Sequence, residues 1–279
     1  MPSGELSRRA LLTSVLSLQP LSTRLAPSAR LSLPLGESTP GQLHYPPWLE
    51  GTWELTNSIR SFSAPLGTAL IDPFILASAK EDVQQAQNLR YLMKWRRDVD
   101  SPPWCIQDRE FNGAQEAAAF LGAMGDLVSC TYDVTPWAPH GHLVLTFSSV
   151  DINGPYGAAA DTPDIDVEIL VKWQRSQKLD SGEFITSEVI QQNVREPGEP
   201  DEVTLVESIT KFEPPKQDKN GVLTLKARNR LAQYFTGDGK YAAMAQQQAI
   251  ACFDYDWYLE RVKEDRAIGG TDVQKANCI

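Results

Sequence analysis

The chain has 279 residues, 42% hydrophobic and 22% charged, so it can bury a sizeable core without disulfide or metal crosslinks. Its formal net charge of -10 disfavours a nucleic-acid partner, because contacts to phosphate backbones depend on Lys and Arg. No run of about 18 or more apolar residues occurs, so we expect no transmembrane segment.

The first forty residues differ in composition from the rest. They carry four Arg and two acidic residues and are rich in Ser, Leu and Pro, as organelle transit peptides are. The pair Arg8–Arg9 precedes a weakly apolar stretch and resembles a twin-arginine export signal. We therefore expect residues 1–40 to be a targeting segment that directs the protein to the chloroplast, in particular the thylakoid lumen. Only seven residues precede Arg8, which is short for a separate transit peptide, so either this start is incomplete or the host is bacterial. A disordered tail with a chance Arg pair is the alternative.

A strand is predicted directly after the bend at Pro46-Pro47 and the triplet Gly51-Thr52-Trp53. Apolar and polar residues alternate over 53–60, the period of a strand with one buried face. This order is typical of an antiparallel β-barrel whose N-terminal segment folds under its first strand.

Further strands are predicted along the rest of the chain, separated by turns rich in Gly, Pro and Asp. They lie at 91–96, 104–111, 127–134, 142–150, 165–173, 184–194, 203–212, 222–235 and 252–259. Only three helices are predicted. The first is an Ala/Gln-rich stretch that begins at residue 75, and the others lie at 112–124 and 240–250. An insertion is expected at 151–164 and a polar tail at 264–279. The pattern predicts a mainly β fold, an antiparallel β-barrel of about ten strands with a few short helices, in one domain over 45–263.

Gly51-Thr52-Trp53 resembles the G-x-W element of the lipocalin and calycin barrels. In those families the Trp closes the narrow end of the barrel and an Arg of the last strand packs over it. The resemblance implies that Gly51, Trp53 and Arg261 close the barrel. The chain departs from the lipocalins in lacking their second motif and in placing a predicted helix before the last strand.

A wider resemblance covers most of residues 46–210. It rests on four stretches, PPWLEGTWELTNSIRSFSAPLG, DREFNGAQEAAAFLG, SEVIQQNVR and VTLVESIT. These are similar to an uncharacterised domain family of cyanobacteria and plastids. The resemblance implies a plastid or thylakoid home and no assigned activity.

Catalytic motifs are absent from the sequence: there is no G-x-S-x-G, no phosphate loop and no dinucleotide glycine fingerprint. Pro139 places His140 in a turn, so His140 and His142 are predicted to be exposed loop residues. A metal site would need three or four ligands at fixed distances. We therefore predict no metal or cofactor and favour a non-enzymatic role, leaving an enzyme open. Arg109 is placed in the strand 104–111. Facing inward it would grip a carboxylate ligand, and facing outward it would form a surface ion pair.

Four cysteines, Cys105, Cys130, Cys252 and Cys278, allow three disulfide pairings, and the sequence does not choose among them. Cys105 and Cys130 lie in predicted strands separated by one helix, where they could face each other. Buried free thiols are the favoured alternative.

Aromatic residues occur in most of the predicted strands. If several face inward, the interior forms an apolar pocket, and ordinary core packing is the alternative. The candidate ligand-binding residues are Trp53, Tyr91, Trp95, Trp104, Arg109, Trp173, Tyr255 and Trp257. We expect a non-enzymatic barrel that binds a hydrophobic small molecule such as a lipid, a pigment or a quinone-like compound. The alternative is an accessory or assembly protein that docks on a photosynthetic membrane complex, which an exposed aromatic patch would favour.

Overall fold

The computed structural model describes residues 41–71, 73–85, 88–121, 127–148, 165–195, 201–234 and 248–263. Eleven strands and two α-helices lie within these ranges. The strands are β1 (Gly51–Ser63), β2 (Asn88–Arg97), β3 (Cys105–Gln107), β4 (Leu127–Thr135), β5 (Ala138–Phe147), β6 (Ile165–Lys178), β7 (Phe184–Arg195), β8 (Glu202–Phe212), β9 (Lys216–Gln217), β10 (Leu223–Tyr234) and β11 (Ala249–Arg261). The helices are α1 (Pro73–Gln85) and α2 (Arg109–Leu121).

The strands form one antiparallel sheet in the order β3-β2-β1-β11-β10-β8-β7-β6-β5-β4, with short β9 beside β10. The sheet curls into a half-barrel, which confirms the predicted mainly β, antiparallel architecture. Among the described residues, the end strands β3 and β4 do not pair with each other. Helix α2 contacts β2 near one end of the sheet and β4 and β5 at the other. It therefore packs between the two ends of the sheet, where hydrogen bonds between the end strands would close a complete barrel.

Three clusters of buried apolar residues fill the molecule. One surrounds Trp53 and Trp95 near the start of β1, and a second surrounds Phe62 and Phe253 near its end. The third lies between α2 and the strands β4 to β7 and includes Ala117. The concave face is thus apolar at both ends and beneath the helix.

The third predicted strand, 104–111, is wrong beyond Gln107. Asp108 ends the strand and starts α2, since its main-chain carbonyl accepts a hydrogen bond from the Asn112 amide at 2.8 Å. A carboxylate at this position also faces the unpaired amides of the first turn. From Arg109 onward the chain is helical, because the Ala-dense run that follows favours a helix more strongly than the apolar–polar alternation favours a strand.

Several sequence predictions lie outside the described residues. These are the targeting segment 1–40, the insertion 151–164, the polar tail 264–279 and most of the helix expected at 240–250. The last two residues of that predicted helix belong to β11 instead. No helix among the described residues combines the length and the apolar character needed to cross a membrane.

Candidate functional site

The concave face of the sheet carries alternate residues of each long strand. On β1, Trp53, Leu55 and Asn57 are buried in succession. On β11, Leu259 pairs with Leu55 and Trp257 pairs with Asn57. Because directly paired residues of antiparallel strands project to the same side of a sheet, these side chains form one continuous inner surface.

Gly51, Trp53 and Arg261 lie together at one end of this surface. Arg261 pairs with Trp53 across β1 and β11, and its guanidinium carbon lies 5.5 Å from the centroid of the indole ring. The buried Trp53 donates its indole N–H to the Leu49 carbonyl at 2.7 Å. Gly51 has a φ of +117°, and a Cβ at this position would lie 2.8 Å from the guanidinium carbon. Only glycine combines this backbone conformation with the space that Arg261 occupies.

Tyr45 fills the interior beside this end. Its main chain bridges to Cys105 of β3, with N···O distances of 2.7 and 3.0 Å. Its ring packs against Trp95, Phe184 and Phe212, with ring centroids 5.9–6.2 Å apart. Complete burial raises the pKa of the Tyr45 hydroxyl far above its ordinary value. The segment before β1 therefore lies inside the half-barrel.

Helix α2 turns a polar face towards the sheet, formed by Arg109, Asn112 and Glu116 at helical spacing. The Asn112 amide group binds the main chain of Lys94 in both directions, accepting from its N–H at 2.7 Å and donating to its carbonyl at 3.2 Å. Arg109 forms a two-point ion pair with Glu188 of β7. The helix is thus pinned to β2 by one residue and to β7, across the interior, by another.

Glu116 is the third residue of this face, and it has no hydrogen bond or ion pair with any other described residue. Burial raises the pKa of its carboxyl group to about 7. Burial, followed by the charge of Glu116, raises the pKa of Tyr91 well above its ordinary value. Burial and the charges of Asp82 and Glu116 do the same for Tyr255. Two buried tyrosines from β2 and β11 and one half-buried carboxyl from α2 therefore lie near one another.

Asn57 and Trp257 are the part of the inner surface with unused hydrogen-bonding capacity. The Oδ1 atom of Asn57 and the Nε1 atom of Trp257 are both buried, and neither has a partner among the described residues. The Asn57 amide group also forms a hydrogen bond with the Tyr91 hydroxyl, and because Asn57 Oδ1 has no partner, this contact uses the amide nitrogen. Asn57 and Trp257 are paired residues of β1 and β11, so the side chain with the unused acceptor and the side chain with the unused donor are neighbours on the same face of the sheet.

Other buried polar groups differ from Asn57 and Trp257 either in their hydrogen bonding or in their strand pairing. Asn229 of β10 is satisfied, donating to the Ser208 and Thr210 hydroxyls at 3.0 and 2.8 Å. Trp95 Nε1 and Gln192 Oε1 are also unpartnered among the described residues, but they lie on different strands that do not pair with each other. Only Asn57 and Trp257, within the described part of the chain, combine complementary free groups with direct pairing.

A family profile described as "Domain of unknown function (DUF6816)" matches residues 37–263. The chain belongs to the DUF6816 family. The match includes every strand and helix described above. A comparison with curated proteins gives no match.

Most of the aromatic residues proposed from the sequence lie on the concave face of the DUF6816 domain. These are Trp53, Tyr91, Trp95, Tyr255 and Trp257. Arg109 also lies inside, although it reaches the interior from α2 rather than from a strand. Its guanidinium is already paired with the carboxylate of Glu188.

Trp104 and Trp173 lie elsewhere. Trp104 is 36% exposed and stacks against His44, with ring centroids 6.5 Å apart. A bulge in β6 shifts the register between Val171 and Trp173, so Trp173 pairs with Val189 on the convex side. Gln174 takes the buried inner position that simple alternation assigned to Trp173.

The histidines of the domain are arranged differently from the prediction. His140 belongs to strand β5 rather than to a turn. His142 bridges two carboxylates, with Nδ1 3.1 Å from Asp133 Oδ1 and Nε2 3.0 Å from Glu168 Oε1. In the described ranges, no three or more His, Cys, Asp or Glu residues come together in a way that suits a metal ion.

Three of the four cysteines, Cys105, Cys130 and Cys252, are free thiols. The pairing of Cys105 with Cys130 that the sequence left open is therefore not formed, and Cys278 lies outside the described residues. The Cys105 thiol lies 3.1 Å from the Pro46 carbonyl, and burial raises its pKa to about 12. A thiol with so high a pKa is a poor nucleophile at neutral pH.

Sequence reasoning missed Asn57, Asn112 and Glu116. The helical spacing of Arg109, Asn112 and Glu116 within an Ala-rich segment was a usable signal, because polar residues on one face of a short helix are otherwise solvent-exposed. The signal for Asn57 was its place among the apolar positions of the alternating first strand.

Proposed function

We propose that this DUF6816 domain is a non-enzymatic binding protein that holds a hydrophobic small molecule, such as a lipid, a pigment or a quinone-like compound, on its concave face. The observation that supports the proposal most directly is the pair of buried, unpartnered groups on Asn57 and Trp257. Ligand sites typically combine apolar walls with a few polar groups that orient the ligand. The concave face has this composition.

The energetic argument is that unused buried polar groups are costly. Each buried donor or acceptor without a partner destabilises the folded state by about 1–3 kcal/mol. An occupant that bonds to both groups removes this cost, because neither Asn57 Oδ1 nor Trp257 Nε1 has a partner among the described residues. The interior is therefore better suited to an occupied state than to an empty one.

Native mass spectrometry of the protein purified gently from its host tests this proposal. We expect a stoichiometric mass excess that disappears on denaturation and whose released compound is extracted by organic solvent. A mass equal to that of the polypeptide alone, in protein whose tryptophan fluorescence shows the native fold, would contradict the proposal.

A second candidate function is docking to a protein partner, as an accessory or assembly factor of a photosynthetic membrane complex. It is supported by three exposed apolar residues on β4 and the turn after it, Val128, Val134 and Trp137, with 47–61% of their surface accessible. Strand β4 ends the sheet path, and these exposed apolar side chains form a surface that a partner protein can cover. A photo-crosslinker placed at residue 137 should capture a membrane-complex subunit, whereas one at the exposed Tyr258 of the inner strand β11 should not. Equal capture from both positions would contradict docking at β4.

We also propose a thylakoid-lumen location, supported by the Arg-rich, acid-poor composition of residues 1–40. A fusion of these residues to a fluorescent reporter should reach a protease-protected compartment in chloroplasts. Replacing Arg8 and Arg9 by Lys should block that transport, because twin-arginine signals depend on the Arg pair. A reporter that stays outside the organelle, or whose transport ignores the substitution, would contradict this location or this route, respectively.

A further inference from the structure

We propose that Asn57 and Trp257 form a two-point recognition site for a neutral head group that both donates and accepts a hydrogen bond, namely a hydroxyl or a primary amide attached to a hydrophobic tail. This inference rests on the proposed small-molecule function and specifies the chemistry of the ligand's polar end.

The hydrogen-bonding roles of the two side chains are fixed by their surroundings. The amide nitrogen of Asn57 is used by Tyr91, which leaves the carbonyl oxygen as an acceptor. The indole nitrogen of Trp257 can only donate. A ligand that satisfies both residues must therefore donate to Asn57 and accept from Trp257.

The two side chains project from neighbouring positions on the same face of the sheet. Asn57 and Trp257 are direct partners in the β1–β11 ladder, and Cβ atoms of such partners lie about 4.5–5.5 Å apart. A hydroxyl oxygen, or the adjacent oxygen and nitrogen of a primary amide, can contact both side chains at once. Asn57 is only 7% exposed, so water competes poorly for this position.

The same argument disfavours other head groups. A carboxylate only accepts, so it leaves Asn57 unsatisfied, and it also meets the unpartnered carboxyl of Glu116 near Tyr91. An ammonium group only donates, so it leaves Trp257 unsatisfied. An oxidised quinone likewise only accepts, whereas its reduced quinol form carries hydroxyl groups that do both.

Apolar surface for the tail lies on both sides of the site. Trp257 packs against the cluster around Trp53 and against the cluster around Phe253. Its ring lies 6.4 Å from that of Phe212, centroid to centroid. An apolar tail attached to the head group would therefore meet apolar side chains on either side of Asn57 and Trp257.

Four eight-carbon probes with different head groups test the inference: n-octanol, octanamide, octanoate and octylamine. The readout is the indole N–H region of a ¹⁵N-labelled full-length protein, to which each of the seven tryptophans contributes one signal. A Trp257→Phe variant identifies the signal of Trp257. We expect n-octanol and octanamide to shift that signal saturably and to bind at least tenfold more tightly than octanoate and octylamine, because each of the latter leaves one buried group unpaired.

Two variants sharpen the test. Asn57→Leu keeps the size of the side chain and should weaken n-octanol binding at least tenfold. Trp104→Phe, which changes an exposed tryptophan outside the concave face, should leave binding unchanged. If Asn57→Leu fails to fold, the probe ranking and the Trp257 shift in the wild-type protein still decide the matter.

The outcomes separate this inference from the proposed function. Equal binding of all four probes, or binding that leaves the Trp257 signal in place, would overturn the two-point site while retaining a hydrophobic binding role. Binding of none of the probes would overturn the inference, and a bare polypeptide mass from the host would then reject the binding function as well.

Discussion

Replacing Glu116 by Gln tests whether the half-buried carboxyl on the polar face of α2 is partly removed from water. The substitution preserves the shape of the side chain and removes its ability to ionise. Glu116 has no hydrogen bond or ion pair with another described residue, so the change removes a charge without breaking a described contact. The expected effect is therefore electrostatic and depends on pH.

The sign and size of the effect follow from the raised pKa. Burial raises the pKa of Glu116 from its ordinary value of 4.5 to about 7. Below about pH 4.5 the carboxyl is neutral in both the folded and the unfolded chain, so it costs nothing. Between about pH 4.5 and pH 7 the folded chain retains a proton that the unfolded chain has released, so the free energy of unfolding falls as the pH rises. Above about pH 7 the full cost, about 3 kcal/mol, is present.

Urea unfolding of the wild type and of Glu116→Gln at several pH values measures this cost. At pH 8 the variant should be more stable than the wild type by up to about 3 kcal/mol, and the difference should vanish near pH 4.5. Asp180→Asn, an exposed carboxyl in the turn before β7, is the matched control and should show no such trend. A variant that is less stable than the wild type at pH 8 would refute the reasoning, since it would mean that the ionised carboxyl is favourably bound in the folded state.

Three further predictions concern the residues that shape the interior. Arg109→Met or Glu188→Leu alone should lower the free energy of unfolding in urea by about 3–5 kcal/mol, because each leaves an unpaired charge. The double variant should lose less than either single variant, and additive losses would contradict a buried pair. Gly51→Ala should lower stability by roughly 1–3 kcal/mol, because alanine is strained at this φ and overlaps the guanidinium of Arg261, and an unchanged melting temperature would contradict this. Asn112→Ala should cost roughly 1–3 kcal/mol and speed hydrogen exchange of the β2 amides that face α2, whereas unchanged exchange would show that Asn112 does not anchor the helix.

The sequence predicted the sheet because alternation is a direct consequence of strand geometry. Residues 53–60 alternate, and the structure buries Trp53, Leu55 and Asn57 on one face. The same pattern failed at 104–111, where three residues of strand are followed by a helix. Alternation cannot distinguish a strand from a short strand plus a helix start, and Asp108 was the only local sign of the change.

The candidate site was predicted only in part because its residues depend on pairing between distant segments. Tyr255 and Trp257 were found from alternation in β11, but their neighbours are fixed by the register with β1, some 200 residues away in the chain. The bulge after Val171, which moves Trp173 to the convex side, has no sequence signal of its own. Glu116 was missed because a glutamate in an Ala-rich helix is ordinarily solvent-exposed, and only the position of α2 across the curled sheet makes it half-buried.

The polar groups inside the half-barrel divide into two kinds, and the division argues for a role beyond architecture. Arg109 with Glu188 and Asn112 with the main chain of β2 are satisfied, and each joins α2 to a different part of the sheet. Asn57 Oδ1 and Trp257 Nε1 have no partner among the described residues, although they lie in the same interior and a pair of apolar residues there would avoid the cost of two unpaired groups. A fold stabilised by burial alone gives no reason to keep a donor and an acceptor side by side without a partner. Their retention is explained if the missing partner is a molecule that the protein binds.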